Sequence, residues 1–202
     1  MRRTIAAASV GIALTMSSVF LGGCATEGGN KMQADLATYK RDHNSKRMIE
    51  YGKGFAAVGD LTRAEEYFTA ALDSGGDDTV ITPMLLRVCI QDGRYRVAIQ
   101  YGETFLRRHP NDVRTRFVLA TLYLAIADNV AARAQFERVL AARPEEADAH
   151  FALAVLMRDS QEDLLSADHH FREYLRLKPG GAHAEEAQSS LLKSVTPEPG
   201  LP

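Results

Sequence analysis

Pro110 and Pro144 stand 34 residues apart and Pro179 follows after 35 more, each closing an apolar helical pattern and preceding an acidic or small turn. A fixed period of that length points to stacked helix-turn-helix units, none of which can bury its apolar face alone. Aligned on the prolines, the chain divides into segments 45–78, 79–112, 113–146 and 147–181, the last with one inserted residue near Ser166. Each segment carries a small residue where two helices would cross: Ala64, Ala98, Ala132 and Ala167. Four residues on come Phe68, Gly102, Phe136 and Phe171, three of them aromatic and able to fill the space beside the crossing. Earlier in each segment a large-then-small pair is expected, and the sequence offers Tyr51-Gly52, Leu85-Leu86, Leu119-Ala120 and Leu153-Ala154.

The periodicity agrees. Leu122, Ala125 and Ile126 form one i, i+3, i+4 stripe, and Ala132, Phe136, Val139 and Leu140 form another beyond an interruption at Asp128-Asn129. Asn129 is expected to cap the second helix there, as Asp60 or Thr62 and Asp163 would in neighbouring segments. Short connections make paired helices antiparallel. Across 45–181, period, alanine, aromatic and proline together resemble the tetratricopeptide repeat. Three departures are Gly75-Gly76 in place of the first proline, Leu86 in place of a small residue, and Gly102 in place of an aromatic. The resemblance implies an all-α fold, a right-handed α-solenoid of about four helix pairs. Residues 182–195 are expected as a C-terminal capping helix, with Ala184, Ala187, Leu191 and Leu192 toward the last repeat, and 196–202, with three prolines, as a disordered tail.

The first residues are expected outside this fold. Arg2-Arg3 is a short basic head, and Ile5 to Phe20 is an apolar run broken only by small or hydroxyl residues, the pattern of a signal peptide for general secretion. Leu21-Gly22-Gly23-Cys24 resembles the lipobox of bacterial lipoproteins. That resemblance implies cleavage after residue 23, a diacylglycerol on the Cys24 thiol and usually a further acyl chain, palmitate for example, on the new amino end. Two or three chains anchor stably where one does not. Loss of Arg2 and Arg3 would take the net charge from −2 to −4. With Cys24 lipidated, Cys89 has no intramolecular partner, and among Leu85, Leu86, Val88 and Ile90 it is expected as a small buried hydrophobe. Residues 24–31 are expected as a flexible tether and 32–44 as a lead-in helix or linker. In lipoprotein sorting an aspartate after the cysteine favours the inner membrane; Ala25 stands there, so the outer membrane facing the periplasm is expected.

Enzyme chemistry has no visible seat: the sequence lacks a glycine-rich phosphate loop, H-E-x-x-H, G-x-S-x-G and a paired C-x-x-C. His169 and His170 are adjacent on a helix and point about 100° apart, so a shared metal is not expected. A net charge of −2 sets nucleic acid aside. No metal, cofactor or small-molecule substrate is expected.

Function would then lie on the concave surface, lined in this repeat family by the first helix of each pair. Carried over by position, that surface comprises Lys46, Ile49 and Lys53, then Val80, Pro83, Arg87 and Ile90, then Arg114, Phe117, Thr121 and Leu124, and finally Asp148, Phe151, Val155 and Arg158. Lys53, Arg87, Arg114, Phe117, Phe151, Val155 and Arg158 are the candidate groove residues. Groove lining and packing between first helices account equally for Phe117 and Phe151. The places where chaperone-type repeats clamp a C-terminal carboxylate hold Ile49, Lys53, Met84, Arg114 and Val118, so an apolar segment with acidic character is the expected ligand. By analogy with pilotins and the lipoproteins of tight-adherence pili, the expected role is a membrane-anchored protein-interaction scaffold assisting pilus or secretion assembly. The alternative is an adaptor for peptidoglycan hydrolases or synthases.

Overall fold

The computed structural model describes residues 27–160 and 163–192, and all regular structure among them is helical. By internal contacts the chain divides into residues 1–38 and residues 39–202. Of the first unit, residues 27–38 are described, as the opening turns of α1 (Glu27–Ala57). The second unit contains the rest of α1, then α2 (Leu61–Asp73), α3 (Asp78–Gln91), α4 (Tyr95–Arg108), α5 (Val113–Ala125), α6 (Asn129–Ala142), α7 (Ala147–Ser160), α8 (Leu164–Leu177) and α9 (Ala184–Ser190). From α2 to α9 each helix packs on the next in chain order. The result is a one-dimensional stack of helix pairs with a core running its length.

Local chemistry fixes where the helices begin and end. Asp60, Asp112, Asp128 and Asp163 each accept a hydrogen bond from the amide three residues on, at 3.1, 2.7, 3.0 and 2.9 Å. Each satisfies one of the amides a helix start leaves without a partner. Asp128, not Asn129, is therefore the cap of α6, and Asn129 is its first helical residue. The preceding residues explain this. Gly59, Gly93 and Ala127 occupy the same place in successive repeats with φ of 82°, 71° and 60°, a left-handed turn that leaves the next residue at the cap. At the other ends His109, Arg143 and Lys178 leave the helical region, and each precedes a repeat proline. The proline ring disfavours helical geometry in the residue before it, so the period in the sequence is a period of helix stops. Where the first repeat lacks proline, Gly75 makes the stop with φ of 79°.

The crossing alanines are buried, Ala64, Ala98 and Ala132 completely, and so are Phe68, Phe136 and Phe171. Gly102 departs from this pattern for a visible reason. A Cβ there would stand 2.7 Å from Cδ2 of Leu119, so a leucine of the next repeat fills the space an aromatic fills elsewhere. Cys89 is free and fully buried. Burial, followed by the nearby Glu65 carboxylate, pushes its thiol up to about 12, so it is not a nucleophile.

Two boundaries differ from the sequence expectations. The 24–31 tether is helical from Glu27 onward, because Lys31, Met32, Gln33, Ala34 and Leu36 are good helix formers that propagate the helix back through Gly28 and Gly29. The capping helix is half the expected length. It ends at Ser190, where two serines weaken it and Leu191 turns extended at φ −63°, ψ 139°. The Leu192 amide then donates to Asp168 Oδ1 at 2.8 Å, which ties the chain to α8. Residues 1–26 and 193–202, with the expected signal peptide, Cys24 and the expected tail, lie outside the described residues.

Candidate partner-binding groove

The second half of α1, α3, α5 and α7 repeat one surface pattern at the 34-residue period. One row runs Ile49, Pro83, Phe117, Phe151; a second runs Lys53, Arg87, Thr121, Val155. Three cavities open along these rows. The first, of about 530 Å³, lies between α1 and α3 over Phe68 and is edged by Lys53, Val80 and Arg87. The second, of about 360 Å³, lies between α3 and α5, with Leu86, Ile90 and Val118 as its apolar lining and Arg87 and Arg114 at its border. Pro83, Arg87 and Gln91 belong to both, so the two cavities are adjacent along α3. The third, of about 390 Å³, lies between α5 and α7 around Phe117, Phe136, Phe151 and Val155. Pro83 stands inside α3. With no N–H of its own, it cannot donate the helical bond to the Thr79 carbonyl.

The candidate residues are distributed along this groove with one exception. Lys53, Arg87, Arg114, Phe117, Phe151 and Val155 all border a cavity. The two phenylalanines both pack and line. Phe117 meets Phe136 edge-on at 5.5 Å, and Phe151 meets Phe171 edge-on at 6.0 Å, while each leaves part of its ring on the cavity. Arg158 is the exception. Its guanidinium bonds Asp159 at 2.9 Å, Glu186 at 3.2 Å and Ser190 at 2.9 Å and lies 5.6 Å over the Phe171 ring. Repeat position alone assigns Arg158 to the groove; the acidic and hydroxyl groups of α9, absent from earlier repeats, draw it to the cap instead.

His183 joins the site from outside the candidate set. Its ring stacks on Phe151, with centroids 4.2 Å apart and planes 12° from parallel, and it closes the α7 end of the third cavity. It lies in the irregular link between α8 and α9, where no periodic signal could have placed it.

Away from the groove, His150 of α7 and His170 of α8 meet with Nδ1 atoms 2.9 Å apart. His150 Nε2 lies 2.9 Å from the Pro144 carbonyl, which can only accept, so that nitrogen carries the His150 proton. His150 Nδ1 is then the acceptor and His170 Nδ1–H the donor. Burial, then the charges of His150 and His169, lowers His170 to about 4. Among the described residues no group of three or more His, Cys, Asp or Glu side chains could hold a metal ion, and no helix is long and apolar enough to cross a membrane.

The tetratricopeptide-repeat family model matches residues 89–156. Among solved structures the chain is similar to MamA, with 19% identity and a TM-score of 0.64 over 71% of this chain and 78% of that one. It is similar to YrrB, described as a TPR protein with an unusual peptide-binding site, with 20% identity and a TM-score of 0.61 over 80% and 86%. It is similar also to a tetratricopeptide repeat protein from Parabacteroides merdae, with 20% identity and a TM-score of 0.66 over 73% of this chain and 59% of that one. No curated protein matches. At such identities the likeness shows the fold: a right-handed α-solenoid of tetratricopeptide helix pairs.

Proposed function

We propose that this chain is a lipid-anchored scaffold of the bacterial envelope that holds a segment of a partner protein in the groove of its first helices. The observation that carries the reading is the run of three open, largely apolar cavities along α1, α3, α5 and α7, bordered by exposed Arg87 and Arg114. Concave, mostly apolar sites with a few placed polar groups are what ligand sites look like. The repeat fold supports protein binding over catalysis. The lipobox-like Leu21-Gly22-Gly23-Cys24 supports the anchor, and Ala25 supports the outer membrane facing the periplasm. Assembly of a pilus or secretion machine is the role proposed; docking of peptidoglycan hydrolases or synthases would use the same groove and differ in the partner.

Site-specific photocrosslinking in living cells tests the groove. A photoreactive residue at Thr121, exposed on the lining of the third cavity, is expected to give a discrete protein adduct, and one at Glu137, exposed on a second helix, is not. Pilin, secretin or secretion-ATPase adducts support the assembly role, and wall-enzyme adducts support the rival. Adducts of equal intensity at both positions overturn the groove. The anchor is tested by labelling with a palmitate analogue. Cys24→Ser is expected to abolish incorporation and leave an unprocessed precursor, whereas equal labelling of variant and parent refutes the lipid.

A further inference from the structure

Charge is not spread evenly along the groove. Arg87 and Arg114 stand exposed beside the cavity between α3 and α5, and among the described residues neither has an ion pair or side-chain hydrogen bond. The other lysine and carboxylate groups that border the cavities are already compensated. Lys53 is held by Glu50 at 2.7 Å. Asp148 and Asp159, at the edges of the cavity between α5 and α7, are held by Lys178 at 2.8 Å and Arg158 at 2.9 Å. Among the groups that border the cavities, uncompensated arginines therefore flank the α3–α5 cavity and none borders the α5–α7 cavity, which offers aromatic and aliphatic surface with its carboxylates neutralised. The rows carry the same gradient: Arg87 gives way to Thr121 and Val155, and Pro83 to Phe117 and Phe151.

We propose that the segment this groove holds is itself two-part, with carboxylate side chains over Arg87 and Arg114 and bulky apolar side chains in the cavity between Phe117 and Phe151. The proposal rests on the groove being the partner-binding surface and adds which chemistry it takes and in which direction the segment lies. A guanidinium presents a planar fork that matches a carboxylate in two parallel hydrogen bonds. The apolar lining from Leu86, Ile90 and Val118 lowers the local dielectric and strengthens such a pair relative to one in open water. The apolar end anchors by burial, because rings partly covered from one side still have area to lose to a partner. A uniformly acidic segment would leave the Phe117–Phe151 cavity unfilled, and a uniformly apolar one would bury two unpaired guanidinium groups.

The test is selection from a displayed library of random peptides on the full-length chain held in detergent micelles. Enriched peptides are expected to carry Asp or Glu on one side of a constant offset and Phe, Leu, Ile or Tyr on the other. Against an enriched acidic peptide, Arg87→Glu or Arg114→Glu is expected to lose about tenfold or more in affinity at an unchanged melting temperature, since the reversal replaces a charge-assisted hydrogen bond by like-charge repulsion. Repeating the selection on the charge-reversed chain is expected to replace the acidic residues by Lys or Arg while the apolar half persists. An acidic preference that survives both reversals, or enriched peptides with no charge preference, overturns the two-part segment and leaves the groove standing. No enrichment at all, or enrichment indifferent to blocking the third cavity with Thr121→Trp, overturns the groove and the inference with it.

Discussion

The ring of Phe68 lies directly against the α-carbon of Gly52, so close that a Cβ on residue 52 would stand 2.6 Å from Cε1. This is a point of close approach between the two helices of the first repeat, which also meet through Tyr51 and Phe55 on Tyr67, and it gives glycine there a steric purpose.

Within a helix, glycine to alanine normally stabilises by about 0.8–1 kcal/mol. At Gly54, two residues along the same helix, an added methyl would meet nothing within 4 Å, so Gly54→Ala should show that ordinary gain. Gly52→Ala should reverse the sign, because overpacking costs about 1–3 kcal/mol. Urea midpoints of the two variants check it. A midpoint that rises in both means that the helices of this repeat do not cross at Gly52.

Ala127 occupies a left-handed turn at φ 60°, where the equivalent positions of the two preceding repeats hold Gly59 and Gly93. A non-glycine residue in that region carries about 1–2 kcal/mol of strain. Glycine relieves it and returns about 0.4–1 kcal/mol through the greater freedom of the unfolded chain. Ala127→Gly is therefore expected to stabilise by about 0.5–1 kcal/mol, and Gly93→Ala to destabilise by about 1 kcal/mol. Thermal unfolding of the pair is the check, and shifts in the same direction would count against the turn.

Burial of His170 against His150 makes the α7–α8 pair sensitive to acid. The folded value of His170, about 4, lies below the ordinary 6.5, so between these values the unfolded chain binds the proton that the folded chain refuses. Stability is complete above pH 6.5, falls as pH drops toward 4, and levels off below. With the partly exposed ring screened by solvent, the loss from this group at pH 5 is on the order of 1 kcal/mol. His170→Gln should flatten that part of the profile relative to the parent, as read from urea midpoints at a series of pH values. Parallel profiles would show that the proton is admitted without cost.

Much of the fold is legible in the sequence because its signals are local. Pro110, Pro144 and Pro179 stop helices by acting on the residue before them, and Ala64, Ala98, Ala132 and Ala167 sit at crossings that admit nothing larger. What the sequence hides is non-local. The space above Gly102 is filled by Leu119 from the next repeat, so the missing aromatic is compensated across a boundary the alignment treats as a seam. The same holds for the groove. Its rows follow from the period, but the stacking of His183 on Phe151 depends on a link outside the period, and the direction of Arg158 depends on which groups α9 brings near.

Arg158 therefore separates cap from groove. Its bonds to Glu186 and Ser190 and its position over Phe171 attach α9 to the last repeat, and with Ala187 buried they close the C-terminal end of the core. Terminal covers of this kind keep the last apolar face of a repeat array from water. Arg158→Ala removes two partly exposed ion pairs, to Asp159 and Glu186, each worth about 0.2–1 kcal/mol, so global stability should change little. Local stability should change more, because a seven-residue helix is too short to persist without its tertiary contacts. Hydrogen exchange at Ala184–Ser190 is expected to accelerate while α3 and α5 keep their protection. Crosslinking from Thr121 should remain at the parent level, since Arg158 borders none of the three cavities. If instead Arg158→Ala abolishes the adduct while α9 stays protected, the arginine faces the partner and the groove extends over the cap.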